Sequence, residues 1–227
     1  MIIRDSAYLK WASYHNYRDS NVDDFSDIAL ELAEKGYVVF RMGKKVNKPL
    51  NLKHPNVIDY ACSNYRSDFL DIWLMANCFF CISTGLGLDE IPRIFRRPSI
   101  YIDYIPLQSL VSYDHVITVP KKLFWRQTNK MLTLSECLSH SYDKSKEYED
   151  ANIEINDISS NEIYEAVMEM EKRLNNDWKE SSKDQKLQKE FWKIFKSHSS
   201  YRKFNNIIHP KARIGSDFLR NNSKWLN

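Results

Sequence analysis

Residues Cys78-Phe-Phe-Cys-Ile-Ser-Thr-Gly-Leu-Gly87 pass from an unbroken apolar run into a glycine-rich turn. An apolar run of this length, bounded by a turn, is typical of a strand that is buried on both faces of a parallel sheet. We predict a strand over residues 78–83, the turn 84–87 and a helix that runs to about Phe95. This strand–turn–helix unit indicates an α/β fold.

Strands and helices alternate on both sides of this unit. Ser20-x-x-Asp23 resembles a capping box, residues 22–33 have helical apolar spacing, and Gly36 follows the last turn. The helix predicted over Ser67–Ala76 is apolar on nearly every side, so we expect it to lie deep between other elements. The other predicted strands are residues 1–4, 37–40, 57–60, 99–103 and 115–119. The alternation predicts a Rossmann-like, doubly wound parallel sheet.

The pattern changes beyond about residue 125. Ser159-x-x-Glu162 predicts the start of an amphipathic helix, and a second such helix is predicted over Lys183–Ser197. The polar stretch Ser139–Asp150 is predicted as a loop, and Arg213–Asn221 as a short closing helix. The C-terminal part is therefore expected to be helical.

Length and composition are those of one ordinary domain. The chain has 227 residues, of which 43% are hydrophobic and 28% charged, so it can bury a core and is not a disordered or coiled-coil protein. We expect a single domain over residues 1–227. Its core is predicted at about 1–125, and additional C-terminal helices at about 126–227 are expected to pack against the sheet.

Charge and cysteine content limit the partners and the cellular location that we expect. A formal net charge of +3 is too small to indicate a nucleic-acid partner. The basic patch of Lys121, Lys122 and Arg126 is predicted to be a solvated edge or a contact with anionic lipid, so we expect at most peripheral membrane contact. The four cysteines, including Cys78 and Cys81, are expected to be buried free thiols. Without a secretory signal or a membrane-spanning stretch, a cytoplasmic location is expected.

Glycine placement points to a ligand edge. The chain has only 5 glycines, where average usage would give about 16. Three of the 5, Gly43, Gly85 and Gly87, follow predicted strands. Ligands of open parallel sheets bind at the carboxyl ends of the strands. The hydroxyls of Ser83 and Thr84 and the backbone N–H groups of this turn are therefore predicted to form an anion cradle at a helix N-terminus.

Charged side chains are expected at the same edge, which indicates a phosphorylated ligand. Asp89 lies in the first helical turn, where its carboxylate would repel a phosphate, so we expect it to contact a sugar or ribose hydroxyl. Alternatively, Gly85 and Gly87 form only a tight turn, and His15 is an ordinary loop residue. In the same alternative interpretation, Arg4 and Arg41 are only surface arginines. The other predicted ligand-binding side chains are Arg4, Arg18, Arg41, Lys44, Arg66, Ser67 and Asp68.

Missing motifs argue against several enzyme classes. The sequence contains no G-x-G-x-x-G, Walker lysine motif, G-x-S-x-G or H-E-x-x-H. These absences argue against standard dinucleotide oxidoreductases, P-loop nucleotidases, α/β-hydrolases and zinc peptidases. The D-x-D signature that holds a metal in one class of sugar-nucleotide transferases is also missing. A nucleotide diphosphate would therefore be neutralised by arginines and helix N-termini, without a metal cofactor.

A set of short motifs runs in order along the chain: Arg4-Asp-Ser-Ala-Tyr-Leu9, His15-Asn-Tyr-Arg-Asp-Ser20, Glu34-Lys-Gly-Tyr-Val-Val-Phe-Arg-Met-Gly-Lys44, Tyr65-Arg-Ser-Asp-Phe-Leu-Asp71, Ile82-Ser-Thr-Gly-Leu-Gly-Leu-Asp-Glu90, Arg213-Ile-Gly-Ser-Asp-Phe-Leu-Arg-Asn-Asn222 and Trp225-Leu-Asn227. As a set they resemble a bacterial family of glycosyltransferases associated with surface-polysaccharide and O-antigen synthesis. The likeness covers residues 1 to about 122 and the last fifteen or so.

The resemblance implies the nucleotide-sugar half of a GT-B transferase, in which two Rossmann-like domains face a cleft and the C-terminal one holds the donor. The chain is also distantly similar to fucosyltransferase-like enzymes, in which an H-x-R element places an arginine on the donor diphosphate. Arg4 matches that arginine, whereas Ile2 stands at the histidine position. Family members carry more chain ahead of this point. The N-terminal GT-B half is therefore expected to be missing here. Three explanations stay open: a truncated gene product, a wrongly assigned start codon, or a separately encoded subunit that works with an N-terminal domain or partner chain.

The resemblance implies transfer of a sugar from a nucleotide-sugar donor to a surface polysaccharide or a lipid-linked acceptor. Arg4, Arg41 and the 83–87 cradle would stabilise the leaving diphosphate. Asp68 and Asp89 would contact donor hydroxyls, and His15 or Asp19 would be the base. Two alternatives stay open. The chain is a non-catalytic nucleotide-sugar-binding module that needs a partner domain, or an unrelated Rossmann-like enzyme such as an epimerase or phosphotransferase.

Overall fold

The computed structural model describes residues 1–199, 201 and 208–227 and has a mixed α/β architecture. Its strands are β1 (Val39–Phe40), β2 (Val57–Ile58), β3 (Cys81–Ser83), β4 (Ser99–Tyr104), β5 (Val116–Pro120), β6 (Lys122–Trp125), β7 (Lys130–Met131), β8 (Ile153–Asn156) and β9 (Arg213–Ile214). Its α-helices are α1 (Ser26–Glu34), α2 (Asp68–Asn77), α3 (Glu90–Ile94), α4 (Leu134–Ser139), α5 (Ser145–Asp150), α6 (Ser160–Leu174), α7 (Ser182–Ser197) and α8 (Ser216–Asn221). Short 3-10 helices cover Lys10–Arg18, Val22–Phe25, Tyr60–Cys62, Gly87–Asp89, Leu107–Ser109 and Ser223–Leu226.

The main sheet is parallel. Strands β3, β4, β5 and β9 form a four-stranded sheet in that order, and β1 pairs with β2, also in parallel. The N-terminal segment joins the two, because Ile2 forms parallel bridges with Met42 on one side and Ser83 on the other. The spatial order is therefore β2, β1, the Ile2 segment, β3, β4, β5, β9. Because the Ile2 segment comes first in the chain, the direction of strand addition reverses between it and β3, as in doubly wound sheets.

The sequence prediction of a parallel α/β sheet is thus confirmed, and the strand order is consistent with a Rossmann-like fold. Successive residues of a strand point to opposite faces of the sheet. The two faces are covered unequally. Ile3 belongs to the large core, to which α1 and α6 contribute. Ile2 belongs to a smaller cluster with Met42, Tyr60, Met75 and Cys81, packed by side chains of α2 and α3.

The predicted deep burial of the 67–76 helix is wrong. In α2, only Asp71, Met75 and Ala76 are buried, whereas Phe69 is 71% exposed and Trp73 51% exposed. The helix lies over the smaller cluster at the thinly covered face, so its outer side faces solvent. The strand predicted over 78–83 is also shorter than expected, because only its last three residues pair with β4. Among the helices of the described residues, none has the length and apolar composition to cross a bilayer.

The C-terminal part contains strands as well as helices. The capping box of Ser159 and Glu162 begins α6 as predicted, and α7 matches the predicted 183–197 helix. By contrast, the predicted 213–221 helix is strand β9 followed by α8, and the 139–150 loop contains α5. Strands β7, β6 and β8 form an antiparallel sheet in that order. The predicted helical extension is therefore corrected to a mixed segment, whose β9 extends the main sheet beside β5.

The cysteines are free, as expected, but their burial varies. Cys81 and Cys137 are buried, Cys78 is half-buried and Cys62 is exposed. The expectation of a buried thiol is therefore wrong for Cys62, which ends a surface 3-10 helix.

Of the basic patch predicted at residues 121–126, only Arg126 is exposed, so the prediction of a solvated edge is wrong for Lys121 and Lys122. Lys121 is buried, pairs with Asp157 and donates to the Asp19 carbonyl at 2.7 Å, while Lys122 pairs with Glu162. Next to this network, Asp103 accepts hydrogen bonds at 2.9 Å from the Ser20 hydroxyl and the Ile158 N–H. Together these buried contacts anchor the segment that leads from the 3-10 helix Lys10–Arg18 into α1.

We expect Asp103 to make the protein less stable as the pH rises from about 4 to about 6. Burial raises the pKa of Asp103 to about 6, although the nearby Lys121 ammonium opposes the shift. Between about pH 4 and pH 6 the Asp103 carboxyl therefore keeps its proton in the folded state but loses it in the unfolded state. The free energy of unfolding is expected to fall by about 3 kcal/mol across this window. Asp103→Asn, an exchange that the φ of +53° tolerates, should remove this dependence.

Urea unfolding of both proteins between pH 4 and pH 7 tests this. The difference in unfolding free energy between D103N and the natural chain should move in favour of the variant as the pH rises. A pH-independent difference would contradict the assignment.

Candidate functional site

A cavity of about 730 Å³ lies at the carboxyl ends of the Ile2 segment, β1 and β3. This is the point where the strand order reverses, which is where open α/β sheets bind ligands. The apolar wall includes Leu86, Ile91 and the ring of Tyr101. Of the residues predicted from sequence, the cavity is lined by Arg4, His15, Arg18, Gly43, Lys44, Arg66, Asp68, Gly85, Gly87 and Asp89.

The predicted anion cradle is largely occupied by its own side chains. The Ser83 hydroxyl donates to Asp89 Oδ2 at 2.6 Å and accepts from the Gly85 N–H at 3.1 Å, and the Leu86 N–H donates to the same Asp89 oxygen at 2.9 Å. Burial raises the pKa of Asp89. Ser83 and Thr84 are buried and do not line the cavity; the Thr84 hydroxyl accepts from the Arg4 N–H at 2.8 Å. These hydroxyls therefore fix the turn, and the prediction that they bind a ligand is corrected.

Only backbone groups on the outer surface of the 84–87 turn remain for a ligand. The N–H of Gly87 heads a 3-10 helix and has no acceptor within that helix. Gly85 has φ +74°, and a Cβ there would lie 3.5 Å from the Tyr104 ring. The Gly85 carbonyl accepts a hydrogen bond from Arg18 Nη2. The backbone conformation at position 85 requires glycine, and the Gly85 carbonyl holds the Arg18 side chain at the cavity.

Arg41, Asp19 and Ser67 do not line the cavity, contrary to prediction. Arg41 is 1% exposed and donates to Asp59 at 3.2 Å and to the Lys48 carbonyl at 3.3 Å. It follows β1 on the face opposite Met42, so strand alternation turns it away. Asp19 forms an ion pair with Arg4, and Ser67 caps α2 by accepting from the Leu70 N–H.

Arg4, Arg18 and His15 form what we call the cationic end of the cavity. Arg4 is ion-paired with Asp19, whereas Arg18 has no carboxylate partner among the described ion pairs. Burial lowers the pKa of His15, and the charges of Arg18 and Arg4 lower it further. Burial and the Arg18 charge also lower the pKa of Arg4. The guanidinium groups of Arg4 and Arg18 repel each other where burial reduces their solvation, and an anionic ligand would relieve this repulsion.

Lys44, Arg66, Asp68 and Asp71 form what we call the α2 end of the cavity. Arg66 Nη2 bridges the two carboxylates, at 2.7 Å from Asp68 and 2.6 Å from Asp71. Lys44 Nζ lies 3.7 Å from Asp68 Oδ1. The Asp68 pKa is lowered, first by its hydrogen bond from Arg66 and then by the charge of Lys44. The two positive and two negative charges cancel here, unlike those at the cationic end.

Unpartnered polar atoms collect at this cavity. Within residues 1–199, 201 and 208–227, eight buried side-chain nitrogen or oxygen atoms lack a hydrogen-bond partner. Four of the eight belong to cavity residues: His15 Nδ1, Arg18 Nε, Arg66 Nε and Asp71 Oδ1. These atoms have almost no accessible surface, so a ligand would reach them only after their side chains adjust. Buried polar atoms without a partner are rare in native proteins, and their concentration in residues that line one cavity makes this cavity the candidate site.

Sequence reasoning missed Asp71, Tyr101 and Tyr104 as cavity residues. Asp71 follows Asp68 by three positions and so lies on the same face of α2, a spacing that could have indicated it. The two tyrosines lie on β4, where a buried aromatic residue is ordinary, so the sequence held no signal for them.

No group of three or more His, Cys, Asp or Glu side chains in the described part of the chain is arranged to hold a metal ion. The chain matches no family model, no curated protein and no solved structure in the three comparisons made with known proteins.

Proposed function

We propose that this chain binds a nucleotide sugar in the cavity and is the donor-binding part of a metal-independent glycosyltransferase of the GT-B type. The acceptor would be a surface polysaccharide or a lipid-linked glycan. The position of the cavity at the reversal of strand order supports a nucleotide ligand. The ordered motifs that resemble the glycosyltransferase family support the sugar-transfer chemistry.

The observation that carries the proposal is the set of unpartnered polar atoms on His15, Arg18, Arg66 and Asp71. Two of these residues are arginines, one held by the Gly85 carbonyl and the other by Asp68 and Asp71, and one is a carboxylate. A ligand that bears both an anionic group and hydroxyl groups would satisfy such a set. A nucleoside diphosphate linked to a sugar has this composition.

In the proposed reaction, Arg18 and Arg4 stabilise the negative charge that develops on the leaving diphosphate. His15 is the better candidate for the base, because its lowered pKa keeps the imidazole neutral at pH 7 and its Nδ1 has no partner. Asp19 is less suitable, since its carboxylate is engaged by Arg4.

The second candidate is a non-catalytic nucleotide-sugar-binding module that works with a partner domain. The ion pair of Asp19 with Arg4 favours it, because that pair withdraws one of the two proposed bases from the reaction. Donor hydrolysis or transfer, measured with and without a supplied N-terminal GT-B domain, separates the two candidates.

The proposal predicts stabilisation by at least one nucleotide sugar. At a ligand concentration 100-fold above Kd, the expected gain in unfolding free energy is about 2.7 kcal/mol. Thermal unfolding with UDP-, GDP-, CMP- and ADP-linked sugars measures it, and EDTA should leave the result unchanged. If none of these ligands raises the Tm, the proposed function is wrong.

A further inference from the structure

The two ends of the cavity differ in charge, and this difference bears on how a ligand would be oriented. At the cationic end, Arg18 has no carboxylate partner among the described ion pairs and lies near Arg4 and His15. At the α2 end, Arg66 is held by both Asp68 and Asp71. A diphosphate is therefore favoured at the cationic end and disfavoured beside the two carboxylates.

Asp71 is the polar group of the α2 end that is least exposed to solvent. Only 8% of the residue is accessible. Its Oδ2 accepts from Arg66 at 2.6 Å, whereas its Oδ1 is buried without a partner. The Tyr60 hydroxyl donates to the Ser67 carbonyl at 3.3 Å and also interacts with the Asp71 side chain. Asp71 therefore keeps an oxygen that can accept a further hydrogen bond, either from Tyr60 or from a ligand hydroxyl.

A neutral group with several hydroxyls fits this end better than an ion does. Hydroxyls can donate to Asp71 Oδ1 and accept from the unpartnered Arg66 Nε, once these two side chains adjust around the ligand. The charges already present cancel, so a neutral ligand leaves them balanced. The side chain of Ile72, one position after Asp71, adds apolar surface to the same wall for the carbon face of a ring.

We infer that Asp71 and Arg66 form the subsite for the sugar ring of the donor, with the diphosphate at Arg18 and Arg4. This inference rests on the proposed function and fixes the direction in which the donor lies. It assigns to Asp71 the recognition of sugar hydroxyls that the sequence suggested for Asp68 and Asp89.

The test compares a nucleoside diphosphate with the same diphosphate bearing a sugar, by calorimetric titration. In the natural chain the sugar-bearing ligand should bind more tightly. Asp71→Asn should weaken the sugar-bearing ligand by about 10-fold or more, because a hydrogen bond to a charged group is lost. Its affinity for the bare diphosphate should stay within about 2-fold. Asp27→Asn, at an exposed position of α1, is the matched control and should change neither affinity.

Three outcomes would overturn the inference. Equal binding of the two ligands by the natural chain does so without any variant, which keeps the test valid if D71N folds poorly. An equal loss of both affinities in D71N would place Asp71 at the diphosphate or in the fold. The first outcome leaves nucleotide binding intact and rejects only the sugar subsite. The third outcome, failure of every nucleotide to bind, rejects the proposed function together with the inference.

Discussion

Replacement of Arg18 by alanine should weaken the binding of nucleotide sugars and of bare nucleoside diphosphates alike, by about 10- to 100-fold. Arg18 lines the cavity, donates to the Gly85 carbonyl and has no carboxylate partner among the described ion pairs. A charge-assisted hydrogen bond to a phosphate contributes about 1.5–3 kcal/mol, which corresponds to this loss of affinity. Calorimetric titration with both ligand types measures it.

The matched control for Arg18 is Arg126→Ala. Arg126 is exposed next to β6 and does not line the cavity, so its removal changes the net charge equally without touching the cavity. We expect its affinity to stay within about 2-fold of the natural chain. Equal losses in the two variants would mean that the effect is one of overall charge, and unchanged affinity in R18A would remove Arg18 from the site.

The largest expected effect on stability is that of Glu169→Ala, at about 3–5 kcal/mol. Glu169 is 1% exposed within α6 and accepts hydrogen bonds from the Ser216 N–H at 2.7 Å, the Ser216 hydroxyl at 2.9 Å and Arg173 at 2.8 Å. These bonds connect α6 to the start of α8. Truncation leaves the buried Ser216 groups without partners and removes side-chain volume from the core.

Urea unfolding of E169A measures this loss. Glu165→Ala, one turn earlier on the same helix and without an ion pair in the described chain, should change the unfolding free energy by no more than about 0.5 kcal/mol. A similar, small effect of both substitutions would show that the contact between α6 and α8 does not stabilise the fold.

The alternation of strands and helices could be predicted from sequence because it depends on local patterns. Strand β4, helix α6 and its capping box follow from apolar spacing and from one hydroxyl–carboxylate pair. The burial of α2 could not be predicted in this way, because an all-round apolar helix has the same composition whether or not a second layer covers it. Strand β9 was missed because its two residues pair with β5, far away in the sequence.

The cavity lies at the predicted edge of the sheet, but only some of the predicted residues line it. Glycines and charges after strands predict the carboxyl edge as the ligand site, and Gly43, Gly85 and Gly87 all line the cavity there. The register of a strand sets the face to which each side chain at its end points. For this reason Met42 lines the cavity and Arg41 does not. The turn hydroxyls are predicted to bind a ligand, but Asp89 and Gly85 engage Ser83, and the Arg4 N–H donates to Thr84.

We propose that the cavity beside the Ile2 segment and β3 holds a nucleotide sugar. A crystal structure of the chain grown with the nucleotide sugar that stabilises it most would test this directly. We predict phosphate oxygens within about 3 Å of the Arg18 guanidinium and the sugar ring beside Asp71. A ligand bound elsewhere on the chain, with this cavity unfilled, would contradict the account.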